Sequence, residues 1–77
     1  MEARINRELI AIGKRIRQLR LGRGLSQLDI EVATGIANAD ISRIEAGKKN
    51  VELVTLIKLS VALGVSLVDL FDYRESL

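Results

Sequence analysis

The segment Ser26-Gln27-Leu28-Asp29-Ile30-Glu31-Val32-Ala33-Thr34-Gly35-Ile36-Ala37-Asn38-Ala39-Asp40-Ile41-Ser42-Arg43-Ile44-Glu45-Ala46-Gly47 decides the fold. Ser26 is a good helix N-cap, and Asp29 three residues on provides the acidic partner of a capping box. Leu25 before the cap can staple onto Ile30. The helix that starts there extends only to Thr34, because Gly35 follows and favours the left-handed conformation of a helix end. A second helix begins by Asn38, leaving roughly three or four residues for the connection. Ile41 and Ile44 give this helix a single apolar edge, and Asn38, Ala39, Asp40, Ser42 and Arg43 occupy the rest of its surface. Gly47 ends it, and Lys48, Lys49 and Asn50 form a basic loop. Two short helices joined by a tight glycine-containing turn are a helix-turn-helix signal.

Outward from this segment, helical periodicity continues. Ile5, Leu9, Ile12, Ile16 and Leu19 recur in steps of four and three, which predicts a helix over about 6–21 that Gly22 and Gly24 stop. A fourth helix over 53–63 places Leu53, Leu56, Ile57, Ser60 and Leu63 on one arc. Val54, Leu59 and Val61 widen its apolar surface past what one core uses. Gly64 closes that helix, and Ser66 with Asp69 repeats the capping pattern for a short fifth helix over 66–72, near whose end lie the only aromatics, Phe71 and Tyr73. Proline is absent and nothing alternates with strand period, so the expectation is an all-α, five-helix unit spanning 1–77 as one domain.

With 77 residues and no cysteine, the chain has little room for a large core and no disulfide to reinforce it. Its 48% apolar content nevertheless exceeds what a small core needs, which points to a partner subunit. The lack of both Cys and His removes soft metal ligands and the usual base of Ser-His or Cys-His catalysis. No metal, cofactor or enzymatic activity is expected. Net charge is +2 but unevenly spread: residues 1–24 carry seven basic and two acidic side chains, residues 25–50 three and four, and the remainder two and four. A basic first third and an acidic tail suit a polyanion on one face and another partner elsewhere. No run is long enough to span a bilayer and no targeting segment is visible, so a soluble, cytoplasmic protein is expected.

Gly24-Leu25-Ser26-Gln27, Gly35-Ile36, Ile41-Ser42-Arg43-Ile44-Glu45-Ala46-Gly47-Lys48 and Ala62-Leu63-Gly64-Val65-Ser66-Leu67 together resemble the Cro/repressor-type (XRE-like) helix-turn-helix family, over roughly residues 10–71. The resemblance implies a lambda-repressor-like fold and a transcriptional regulator that binds double-stranded DNA as a homodimer on a pseudo-palindromic operator. Small stand-alone members include restriction-modification controller proteins, phage repressors and antitoxins. By the same resemblance, Asn38, Ala39, Asp40 and Arg43 are expected at base edges: Arg43 at guanine, Asn38 at adenine, Ala39 at a thymine methyl and Asp40 at cytosine N4. Asp40 fits a favourable charge on the helix dipole better than it fits a base reader, since a carboxylate also repels phosphate. Gln27, Ser42, Lys48, Lys49, Asn50 and Arg23 are expected at phosphates, with Arg15 and Arg17 as generic backbone candidates. Arg20 and Glu45 match a structural ion pair. Leu67, Val68, Phe71, Tyr73, Val54 and Val61 are expected in the dimer seam, with Leu59 contributing.

Glu31, Ala37, Leu28 and Val32 depart from the family pattern. Glu31 stands where a small alanine is preferred, and its carboxylate needs a cationic partner or altered packing. Ala37 stands where a capping side chain is usual, leaving Asn38 to cap the third helix itself. Leu28 and Val32 add an apolar pair to the second helix. An antitoxin or adaptor acting chiefly through protein–protein contact is the alternative function.

Overall fold

The computed structural model describes residues 1–73, so the last four positions of the expected 1–77 domain lie outside the described residues. Five helices follow in order: α1 (Glu2–Gly22), α2 (Gln27–Thr34), α3 (Asn38–Glu45), α4 (Leu53–Leu63) and α5 (Leu67–Leu70). No strand occurs among the described residues. The all-α expectation holds, and the boundaries of α2, α3 and α4 fall within a residue of those read from the sequence.

Caps explain this agreement. Ser26 accepts a hydrogen bond from the Asp29 amide at 3.0 Å while Asp29 Oδ2 accepts from the Ser26 amide at 2.8 Å, a complete capping box. Ser66 and Asp69 form the same reciprocal pair at α5. Gly35 and Gly64 take left-handed conformations at the ends of α2 and α4, with φ of 77° and 70°.

Two ends differ from expectation. α1 begins one turn earlier than residue 6, because the Met1 carbonyl accepts the Ile5 amide at 3.1 Å and Glu2 places a negative charge in the first turn. α5 ends at Leu70 rather than 72, since its last amides turn back onto carbonyls within the same short turn.

Ile12 and Ile16 of α1, Ile30 of α2, Ile41 and Ile44 of α3, Leu56, Leu59 and Leu63 of α4, and Leu70 of α5 form one buried cluster. Leu9 and Leu19 are half-buried, whereas Ile5 is exposed on the first turns of α1. The arc of α4 is rotated from the expected one. Leu56, Leu59, Ser60 and Leu63 face inward, and Leu53 and Ile57, expected in the core, are exposed. Leu59, expected as a contributor to the dimer seam, is only 1% exposed and belongs to the core. Both arcs have helical spacing, and contact with α2 and α5 selects between them.

A glycine sets the crossing of α1 over α3. A Cβ added at Gly13 would overlap the Ile44 carbonyl oxygen and lie 2.8 Å from the Glu45 carbonyl oxygen, so only glycine permits the two backbones to come this close. Arg15 donates from Nε and Nη2 to the Asp69 carbonyl at 3.1 and 2.8 Å, tying α1 to α5.

Candidate nucleic-acid interface

The bihelical unit begins with Thr34, whose hydroxyl donates to the Ile30 carbonyl at 2.7 Å and accepts from the Ile36 amide at 3.1 Å. This bond pair braces the turn while Gly35 redirects the chain. Ile36 is half-buried against the core and anchors the approach to α3.

Ala37 occupies the N-cap of α3 and offers no side-chain bond. Asn38 does not cap the helix; it is the first helical residue. Its backbone amide donates instead to Glu31 Oε1 at 2.8 Å. Glu31 therefore needs no cationic side chain: the exposed amide and positive end of α3 serve as its partner. Two departures from the family pattern meet at this helix end: Ala37 offers no side-chain acceptor, and the acid on α2 supplies one to the first amide of α3. Leu28 and Val32 project from α2 as exposed side chains, and nothing in the structure explains them.

The far end of α3 is fixed by Arg20 and Glu45, which are 8% and 9% exposed. Arg20 Nε donates to Glu45 Oε2 at 2.7 Å and Nη2 to Oε1 at 3.0 Å, a bidentate pair, while Nη1 donates to the Leu25 carbonyl at 2.8 Å. The hydrogen bonds to Glu45 raise the Arg20 pKa above its ordinary value, against the opposing effect of burial. Gln27 Nε2 also donates to Glu45 Oε1, at 3.2 Å. One carboxylate thus joins α1, the start of α2 and the end of α3. Gln27 is held at the N-terminus of α2, where a phosphate would meet exposed amides.

Between these fixed ends the outer face of α3 is open. Ile41 and Ile44 point inward at 1% exposure each, and Asn38, Ala39, Ser42 and Arg43 are exposed. Asp40 Oδ1 accepts from Arg43 Nη2 at 3.0 Å and lies 3.7 Å from Lys49 Nζ. Arg43 Nε also donates to the Ala39 carbonyl at 3.4 Å. Lys48 and Asn50 are exposed beside Lys49 in the loop after α3. The structure therefore brings Asn38, Ala39, Asp40, Ser42, Arg43 and the 48–50 loop together. Arg23 is set apart from this group: its Nε is 3.7 Å from where a Cβ on Gly64 would stand, at the α4–α5 turn.

With this arrangement, the sequence matches the helix-turn-helix family (HTH_3) over residues 16–70. The chain belongs to that family. It is accordingly a DNA-binding helix-turn-helix transcription regulator of the XRE-like kind. An uncharacterised HTH-type transcriptional regulator, y4dJ of Sinorhizobium fredii, is 37% identical over 59 residues, 77% of each chain. The control protein C.BamHI of Bacillus amyloliquefaciens is 37% identical over 65 residues, 83% of this chain and 80% of that one. Among solved structures, the restriction-modification controller protein C.AhdI from Aeromonas hydrophila superposes with a TM-score of 0.79 at 36% identity, covering 82% of this chain and 96% of the other.

The helix-turn-helix unit is flanked by an apolar surface that its own core leaves open. Val54, Val61, Val68 and Phe71 are exposed, whereas Leu67 and Tyr73 are half-buried against the core. Phe71 and Tyr73 meet edge-on, their ring centroids 6.4 Å apart. Burial raises the Tyr73 phenol pKa, with a further upward push from Glu8. Ile57 and Val61, with Ala33 and Thr34, line an open groove of ≈ 580 Å³ between α2 and α4. Among the described residues no helix is long and apolar enough to cross a membrane, and no cluster of acidic side chains is arranged to hold a metal ion.

Proposed function

We propose that the protein is a sequence-specific transcriptional regulator that binds a pseudo-palindromic operator as a homodimer, in the manner of a small restriction-modification controller. The open outer face of α3, with its apolar edge buried and both ends pinned, carries this reading. Asn38, Ala39, Asp40 and Arg43 are the base-reading residues, Arg43 suited by its fork to guanine O6 and N7. Gln27, Ser42, Lys48, Lys49 and Asn50 grip the phosphates, and Arg23 does so at the periphery. Leu67, Val68, Phe71, Tyr73, Val54 and Val61 form the dimer seam, which places two copies of α3 about 34 Å apart in successive major grooves. The exposed apolar side chains of α4 and α5 support this seam, and the controller proteins among the relatives support the biological role.

The role split is tested with Arg43→Ala and Lys49→Ala. Arg43→Ala relaxes preference at one base pair of each half-site, by about 5- to 150-fold. Lys49→Ala weakens operator and random duplex alike and flattens the salt dependence. For about four phosphates neutralised per subunit, the wild-type dimer shows a slope of log affinity on log salt near −7. Equal behaviour of the two variants contradicts the assignment.

The exposed apolar surface also fits an adaptor or antitoxin that covers a partner protein. Sedimentation separates the readings: a discrete dimer at micromolar concentration supports the regulator, and a monomer that aggregates without forming a discrete dimer supports the adaptor.

A further inference from the structure

Asp40 is an unusual residue to find among groups that meet a polyanion. One of its oxygens, Oδ1, holds Arg43 at 3.0 Å and stands 3.7 Å from Lys49. The Arg43 contact has the length at which a phosphate or a guanine edge would take the same guanidinium, and Lys49 is held near by charge alone. The carboxylate thus acts as an internal stand-in for DNA, occupying in the free chain the arginine assigned to base reading and a lysine assigned to phosphate. Both partners remain substantially exposed, with side-chain exposures of 60% for Arg43 and 41% for Lys49, so water and salt weaken the contacts and a duplex can exchange for them.

We propose that Asp40 is a selectivity residue that weakens binding to all DNA and weakens it least at the correct site. This rests on the DNA-reading role of α3 given above. On random sequence, phosphates draw away Arg43 and Lys49, and the Asp40 carboxylate is left facing acceptors and negative charge. At a site with a guanine for Arg43 and a neighbouring cytosine amine toward Asp40, all three groups are satisfied together. The i,i+3 spacing of Asp40 and Arg43 puts them one turn apart on the same helix face, within reach of adjacent base pairs. Non-specific affinity comes chiefly from phosphate neutralisation, so a fixed negative charge at this point suppresses it more than it suppresses recognition.

The test compares the full chain with its Asp40→Asn and Asp40→Ser variants, and with Glu2→Gln as a control that changes net charge equally from an exposed position on the first turn of α1. Binding to a selected operator and to random duplex is measured at one salt concentration, with melting curves to verify folding. Expected is about a tenfold gain on random duplex for both Asp40 variants and a smaller gain on the operator, so that the operator-to-random ratio falls. Glu2→Gln leaves the ratio unchanged. An unchanged ratio in folded Asp40 variants, or an equal fall with Glu2→Gln, overturns the role of Asp40 while leaving the DNA-reading face intact. Failure of the wild-type chain to prefer any sequence overturns both.

Discussion

Replacing Arg20 with methionine keeps most of the side-chain volume but leaves the Glu45 carboxylate, 9% exposed, with only the Gln27 amide at 3.2 Å. Removing one partner of a buried ion pair costs about 3–5 kcal/mol, chiefly because the remaining charge is stranded. The lower end applies here, about 3 kcal/mol, because Leu25 and Gln27 at the edge of the pair are only half-buried and admit water. For a chain of this length the whole unfolding free energy is about 4–12 kcal/mol, so the variant forfeits a large share of it. The melting temperature drops by about 12–24 °C. Urea unfolding followed by circular dichroism measures the loss, and a double-mutant cycle with Glu45→Met isolates the coupling. With both charges gone nothing is stranded, so the double variant is more stable than the sum of the two single losses predicts. DNA affinity falls only as far as the folded fraction does. A loss under about 1 kcal/mol, or strict additivity in the cycle, refutes the view that this pair holds α3 onto α1.

Gly13→Ala gains helix propensity of about 1 kcal/mol but drives a methyl into the carbonyls of Ile44 and Glu45, so a net destabilisation of about 1–3 kcal/mol is expected in thermal melts. Stabilisation by that change contradicts the close crossing. Glu31→Ala removes the acceptor of the Asn38 amide; hydrogen exchange at Asn38 accelerates and stability falls by about 1 kcal/mol, whereas unchanged exchange shows that the bond does not persist in solution. Hydrogen bonds from the Ser26 backbone and hydroxyl hold the Asp29 pKa below its ordinary value of 3.8. A depressed folded pKa means that this group's contribution to stability is present above the ordinary value and is lost as pH falls through the folded one. An NMR titration of the Asp29 carboxyl shows this directly, and Ser26→Ala returns the midpoint upward.

The parts of the fold that depend on neighbours in sequence were readable from it. Ser26, Gly35, Ser66 and Gly64 mark helix ends through bonds that reach three or four residues, so the local sequence alone locates them. The orientation of α4 was not readable. Apolar side chains cover so much of it that Leu53 and Leu59 both fit an inward arc, and only packing against the other helices buries Leu59. Gly13 carries no local signal, since a glycine inside a helix looks like a mere weakness until α3 is placed against it. Arg15 read as one more cation on a basic helix, yet it serves the Asp69 carbonyl 54 residues away. Glu31 is the instructive case at the site. Its acid has no cation within reach along the sequence, and its partner is a backbone amide seven residues on, across the turn. The outward group of Asn38, Ala39, Ser42 and Arg43 was legible because Ile41 and Ile44 define the opposite edge of so short a helix.

Selection of bound sequences from a pool of random duplex DNA, using the full-length wild-type chain, tests the central claim most directly. Expected is enrichment of two inverted half-sites whose centres lie about one helical turn apart, each with a fixed guanine that Arg43→Ala no longer requires. Recovery of sequences no different from the starting pool, or of a motif that survives Arg43→Ala unchanged, contradicts the assignment of α3 as the reading element.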